Sequence, residues 1–341
     1  MRSLSPLPLF AAVVFLFTVC APAQTQKNRT PQNFVGETLS VDVDVVDVYF
    51  TVKRHNQFVQ DLTKDDFEIR ENNHKQEIRY FSSDSDAPLS LGVLIDTSDS
   101  ESPVLHRERE VAKRFFDTVL IAGDEGLVAS FDSHIELKQD FTGDHDLLVK
   151  AIEASDRNSS RRSAAVDIGS TPKFRSTALY DAIVGVAGGR FADRRGRNAM
   201  IIITDGQDQG SRANAQQAIE AALKSNSLCY VLLVGDKSFM SAPEYQGGKR
   251  MRQLAAETGG RVVVLENRLR GLEKTLLEIA AELRHHYSIG YTPEDRRADG
   301  RYRKISIRTR QGFQVRSRRG YYYMSHDATD AETTLLRSSA D

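Results

Sequence analysis

Asp96, Ser98 and Ser100 form an Asp-x-Ser-x-Ser run directly after the apolar residues 89–95. Thr177 opens an apparent helix over 177–183, and Asp205, with Gly206 behind it, follows the apolar run 200–204. Two carboxylates and three hydroxyls are hard oxygen donors, and the chemistry they serve together is the holding of one divalent cation. Mg2+ takes six oxygens in near-octahedral array and gives up its waters reluctantly, so proteins hold it through a few such groups and leave other positions wet; Mn2+ and Ca2+ are the alternatives. Each donor falls just beyond a strand or at the start of a helix, where an open α/β sheet keeps its ligand site. Asp, Ser and Thr are also ordinary helix N-caps. Ser100 or Ser102 could therefore cap a helix beginning near Pro103, and Thr177 could cap its own.

Convergence of these segments requires sheet and helix to alternate. From residue 89 short apolar runs are separated by longer amphipathic segments, the α/β signature. Strands are expected at 89–95, 126–131, 134–138, 199–204, 228–234 and 261–265, and helices at 103–120, 146–154, 177–188, 213–225, 249–258 and 269–284. The expected fold class is α/β, with a doubly wound, mostly parallel sheet over residues 87–285. The polar, Ser- and Arg-rich stretch 155–175 just before Thr177 is either a functional loop or a disordered one.

On either side the pattern changes to period two. Residues 39–52 alternate apolar positions with Asp42, Asp44 and Tyr49, and further strands are expected at 66–70 and 76–81 around the turn-forming Glu71-Asn72-Asn73-His74. Strands return at 287–291, 303–309 and 312–315. A smaller β-rich accessory domain made from 38–86 and 286–324 is the expectation, with 24–37 as linker and 325–341 as a mobile tail. Ten Arg or Lys residues lie from Arg296 to Arg319. Pairing of these basic strands with the strand carrying Asp42, Asp44 and Asp47 would contribute about 0.2–1 kcal/mol per opposed pair.

The metal-type residues resemble the metal-ion-dependent adhesion site of the von Willebrand factor A family over roughly residues 89–284. Asp-x-Ser-x-Ser alone is a weak pattern; its three pieces in order, each after the right kind of element, make a strong one. The flanks, Leu62-Thr63-Lys64-Asp65-Asp66-Phe67-Glu68 and Arg318-Arg319-Gly320-Tyr321, look like the secreted acidobacterial proteins of that family. The resemblance implies that Ser98 and Ser100 bind the ion directly, that Thr177 is direct in one state and water-bridged in another, and that Asp96 and Asp205 act largely through waters. Neutral hydroxyls leave much of the ion's charge uncompensated, so an Asp or Glu on a protein partner would complete its shell. Two departures stand out: Asp99 and Glu101 add carboxylates to the first loop, and Arg175-Ser176 precede Thr177 where Gly is frequent. Asp208 is a companion residue in such sequences, in a supporting or turn role.

The implied function is a non-enzymatic, metal-dependent binding or adhesion module. Gly-x-Ser-x-Gly, Gly-x-x-x-x-Gly-Lys and His-Glu-x-x-His are all missing from the sequence. An aspartyl-phosphate phosphatase would want a second aspartate where Ser98 stands. A metal-assisted hydrolase using the same ion needs a general base, for which His134 is the candidate. A metal-blind structural subunit of an envelope assembly is the third reading. His285 and His286 are adjacent, cannot chelate as an i, i+4 pair does, and mark a helix end.

The 341 residues carry a formal net charge of −1, which gives no global pull toward nucleic acid. Residues 1–23, with a lone Arg2, an apolar core at 7–19 and Ala21-Pro22-Ala23, have the form of a secretory signal peptide. The expected location is outside the cytoplasm: periplasmic, at the cell envelope or secreted. Attachment to a membrane would need the leader retained, or lipid on Cys20, which follows Val19 rather than a small residue. Cys229, inside an apolar run, is expected to be a buried, inert thiol.

Overall fold

The computed structural model describes residues 45–83, 87–98, 109–155, 177–194, 196–235, 245–265, 271–297 and 299–323. All belong to one compact unit, Val43–Asp341, of the two into which the chain divides. The leader, the linker 24–37, Cys20, Asp42, Asp44, Asp99, Ser100, Glu101, residues 156–175 and the tail 325–341 lie outside the described residues.

In chain order the elements are β1 (Val46–Arg54), β2 (Gln57–Phe58), β3 (Phe67–Glu71), β4 (His74–Gln76), β5 (Tyr80–Ser82), β6 (Leu89–Asp96), α1 (Arg109–Val119), β7 (Glu125–Phe131), β8 (Ile135–Thr142), α2 (His145–Glu153), α3 (Leu179–Gly189), β9 (Arg197–Thr204), α4 (Ala215–Lys224), β10 (Ser227–Val234), α5 (Gln246–Thr258), β11 (Val262–Leu265), α6 (Leu272–Arg284), β12 (Tyr287–Tyr291), β13 (Tyr302–Thr309), β14 (Gln314–Ser317) and β15 (Gly320–Tyr322). The protein is a mixed α/β fold. Its largest sheet runs β11-β10-β9-β6-β7-β8, parallel except for β8.

Every residue of β6, β9 and β10 is buried, as parallel strands with both faces covered must be, and this produces their unbroken apolar runs. Leu89, Leu91, Val93 and Ile95 of β6 pack with α1, α2 and α6 on one face. Leu94, with Met200 and Ile202 of β9, packs with α3, α4 and α5 on the other. Strand β8 antiparallel to β7 extends beyond the expected 134–138, and Glu136, Lys138 and Asp140 along it protect a sheet edge from foreign pairing.

The N- and C-terminal strands share two smaller sheets. β1 lies between β12 and β14, antiparallel to both, with Val46 opposite Tyr291 and Thr51 opposite Arg316. β13 pairs with β3 and β15. Alternation on β1 and β13 turns Val48, Phe50, Ile305 and Ile307 into a common core with Phe67, Ile69, Tyr287 and Tyr291. Residues 76–81 are not one strand. Gln76 closes β4 in one sheet while 80–82 form β5 in the other, and the alternation changes phase at the crossing: Ile78 is buried, Tyr80 is exposed and Phe81 packs on the core. Asn72 and Asn73 turn the β3–β4 hairpin at φ 46° and 69°, the left-handed region in which asparagine is tolerated.

Of the acidic partners expected for the basic C-terminal strands, Asp47 alone is among the described residues. Asp47 stands opposite Gly290, and Arg318 donates to its backbone carbonyl at 2.8 Å rather than bridging its carboxylate. Arg303 pairs with Glu71 at 3.2 Å and Arg319 with Glu257 at 3.5 Å. Buried Glu282 on α6 collects Lys53 at 2.9 Å, Arg261 at 3.2 Å and Arg316 at 3.3 Å. That hub ties α6 to β1 and β14.

Candidate metal centre

Strands β6 and β9 are parallel neighbours with Ile95 opposite Ile203, so the chain leaves the sheet with Asp96 beside Thr204 and Asp205 one residue beyond. The Thr204 hydroxyl donates to Asp96 Oδ2 at 2.7 Å and accepts from the Gly206 N–H at 2.9 Å. Asp96 Oδ1 accepts from the Ser98 N–H at 3.1 Å, which curls the chain back and sets the position of Ser98. The same kind of turn follows the second carboxylate, with the Gln207 N–H donating to Asp205 Oδ1 at 2.8 Å. The Tyr245 hydroxyl donates to the Asp205 carbonyl at 2.5 Å.

Thr177 reaches the same place from another part of the chain. Its carbonyl accepts from the N–H groups of Gln209 at 3.1 Å and Gly210 at 3.0 Å, in the loop after β9, and the next N–H, of Ala178, donates to the Asp132 carbonyl at 2.6 Å, in the turn after β7. Because β9 and β7 flank β6, Thr177 is strung across the end of β6. Thr177 is buried and does not cap its helix: the N-cap is Ala178, without a side-chain cap. No hydrogen bond of the Thr177 hydroxyl is present among the described residues. The structure thus brings Asp96, Ser98, Thr177 and Asp205 to one edge of the sheet, while Ser100 lies outside the described residues.

The electrostatics of that edge follow from desolvation. Asp96 is 2 % exposed, and burial pushes its carboxyl up to about 6; hydrogen bonds from Thr204 and Ser98 pull the other way, and the charge of nearby Asp205 adds to the rise. Two buried carboxylates lie near each other here, so the charged form of Asp96 is disfavoured both by desolvation and by its neighbour. Among the described residues no three His, Cys, Asp or Glu side chains are grouped to hold a metal. The donors at this edge are oxygens alone, carboxylates of Asp96 and Asp205 with hydroxyls of Ser98 and Thr177, a set that fits a hard cation.

Several residues that build this edge carried no separate signal in the sequence. Thr204 reads as the end of an apolar strand, and Tyr245 lies forty residues from the carbonyl it holds. Gly206 adopts φ +83°, and a Cβ on Gly247 would stand 2.4 Å from the Gly206 carbonyl oxygen, so the start of α5 packs on the Asp205–Gly206 turn backbone to backbone. His134 sits in the β7–β8 turn with its Nδ1 3.0 Å from Ser133 Oγ. Cys229 is buried, with its thiol pushed up to about 12 by burial. His285 is the C-cap of α6, the helix end expected.

No protein-family model matches the sequence, and no curated protein does. Similarity to solved structures is weak. A conserved hypothetical protein BatB from Bacteroides thetaiotaomicron is 21 % identical over 57 % of this chain and 98 % of its own, with a TM-score of 0.41. A von Willebrand factor type A protein from Catenulispora acidiphila is 14 % identical over 71 % of this chain and 68 % of its own, with a TM-score of 0.43. Proximal thread matrix protein 1 from the mussel byssus, described with a zinc-occupied MIDAS motif, is 15 % identical over 62 % of this chain and 49 % of its own, with a TM-score of 0.41.

Proposed function

We propose that this chain is an exported, non-enzymatic protein-binding module whose doubly wound α/β domain holds one divalent cation, Mg2+ or its substitutes Mn2+ and Ca2+, through Asp96, Ser98, Ser100, Thr177 and Asp205. The observation that carries the reading is the joining of remote loops at one sheet edge through the Asp96–Thr204 bond and the backbone bonds of Thr177. The bound cation would supply an incompletely compensated positive charge for an Asp or Glu of a protein partner. The chain's own part is geometric. Thr204 and the Ser98 N–H fix the Asp96 carboxylate, the Gln207 N–H fixes that of Asp205, and the hydroxyls of Ser98 and Thr177 remain neutral donors that leave the charge unspent. Export rests on the form of residues 1–23; among the described residues no helix is long and apolar enough to cross a membrane.

Calorimetric titration with Mg2+ and with Mn2+ tests this reading. Wild type is expected to take up one equivalent saturably, and Ser98→Ala to bind at least about 10-fold more weakly, the loss associated with removing a group that orients or holds a metal. Equal heats for wild type and Ser98→Ala would place the chain among metal-blind scaffolds.

A further inference from the structure

Two carboxylates outside the candidate ligand set cross between the start of α3 and the loop after β9. Asp208, in the loop, accepts from the Tyr180 N–H at 3.3 Å and from the Ser211 hydroxyl at 2.5 Å. Asp181, on α3, reaches back: its Oδ1 accepts from the Ala213 N–H at 2.8 Å and its Oδ2 from the Arg212 N–H at 2.9 Å. Ser211 Oγ closes the exchange by accepting from the Asp181 N–H at 3.0 Å. Between these bonds lie the two from Gln209 and Gly210 to the Thr177 carbonyl.

The local chemistry explains why a clasp is needed. Helix α3 begins at Ala178 with no side-chain cap of its own, so its first N–H groups must find acceptors elsewhere. Asp208 supplies them from the segment that also carries Asp205, only three residues away. Half-burial raises the Asp208 carboxyl while the bonds from Ser211 and Tyr180 oppose the rise, as for an acceptor committed to fixed donors. A helix cap and a loop anchor are thus one group.

We propose that Asp208, with Asp181 and Ser211, is a positioning residue that locks Thr177 and Asp205 together as one unit, so that metal affinity depends on a carboxylate that touches no metal. This rests on the metal-binding reading above.

The test uses the full chain as wild type, Asp208→Ala, Asp208→Asn and Ser211→Ala, with Asp144→Ala as control. Asp144 caps α2 through the N–H groups of Asp146 and Leu147, an equivalent cap on another helix. Two quantities are read: Mn2+ affinity by calorimetry, and metal-free amide hydrogen exchange at Gln209 and Gly210. Asp208→Ala is expected to weaken Mn2+ binding about 10-fold or more and to speed exchange at both amides. Asp208→Asn, which keeps an acceptor oxygen, recovers most of both, and Ser211→Ala shows a smaller change of the same sign. Asp144→Ala lowers Tm by a similar amount and moves neither quantity. If Asp208→Ala lowers Tm alone, with affinity and exchange at wild-type values, the positioning role is wrong. If wild type binds no Mn2+, the functional reading fails separately; exchange then decides the clasp, faster exchange upholding the hold on Thr177 and unchanged exchange overturning it.

Discussion

Glu71→Ala is expected to destabilise the protein by about 3–5 kcal/mol, the range found when one partner of a buried ion pair is removed. Glu71 and Arg303 are 4 % and 3 % exposed, and their ion pair measures 3.2 Å. The other carboxylate oxygen accepts from the hydroxyls of Tyr291 at 2.7 Å and Tyr321 at 2.8 Å. One side chain therefore satisfies a guanidinium from β13 and two phenols, from β12 and β15. After truncation Arg303 keeps the carbonyls of Asp295 and Arg297 and the face of Tyr323 at 4.3 Å, but its buried charge is left with only the more exposed Asp295 carboxylate, at 3.9 Å, as a counterion. The double variant Glu71→Leu/Arg303→Met is expected to be less destabilised than Glu71→Ala, because no orphaned charge remains. Urea unfolding of wild type and the two variants checks both statements: a loss well under about 3 kcal/mol in Glu71→Ala would contradict the first, and a double variant destabilised as much as Glu71→Ala or more would contradict the second.

The second large effect is a pH dependence set by His286. Burial, with the charge of Arg197 next, pushes this imidazole down to about 3 from its ordinary 6.5. His286 is 4 % exposed, and its Nδ1 has no hydrogen-bond partner. The unfolded chain binds a proton near pH 6.5 that the folded chain refuses, so the stability contribution is whole above pH 6.5 and is lost as pH falls toward 3. The loss is about 2 kcal/mol by pH 5 and on the order of 4–5 kcal/mol at full titration. Asp96 works in the opposite direction, since a carboxyl raised to about 6 stabilises the fold as pH falls below that value. The His286 contribution is therefore read as a difference. His286→Gln keeps a donor but cannot titrate, and wild type is expected to lose about 2 kcal/mol more than this variant between pH 7 and pH 5. Parallel pH profiles for the two proteins would contradict the assignment.

The parts of the fold legible in the sequence are those whose physics is local. Strands covered on both faces show as unbroken apolar runs, which is why 199–204 and 228–234 match β9 and β10 to within two residues, and why 287–291 coincides with β12. Helices α2, α4 and α6 show their apolar period and fall within three residues of expectation. Strand β15 was not legible: three residues behind a basic pair carry no period, and their place is set by a glycine whose Cβ would meet the Arg303 carbonyl at 2.4 Å. The charges misled for a related reason, because sequence tells that Arg303, Arg316 and Arg319 need carboxylates but not that Glu71, Glu282 and Glu257 are the ones tertiary packing brings near. At the candidate site the type and spacing of Asp96, Ser98, Thr177 and Asp205 drew attention to them in the sequence, whereas the groups that hold them in place did not. Thr204, Tyr245, Asp181 and Ser211 act across the fold on partners about thirty to more than a hundred residues away.

The central claim is that one cation lies where Ser98 and Thr177 meet the carboxylates of Asp96 and Asp205. An anomalous difference map from a crystal of this chain grown with Mn2+ measures that most directly. A single strong peak about 2.1 Å from the Ser98 hydroxyl oxygen, with oxygens of Asp96, Thr177 and Asp205 gathered round it directly or through one water, is the predicted result. A fully ordered edge with no peak, or a peak coordinated elsewhere in the molecule, would contradict it.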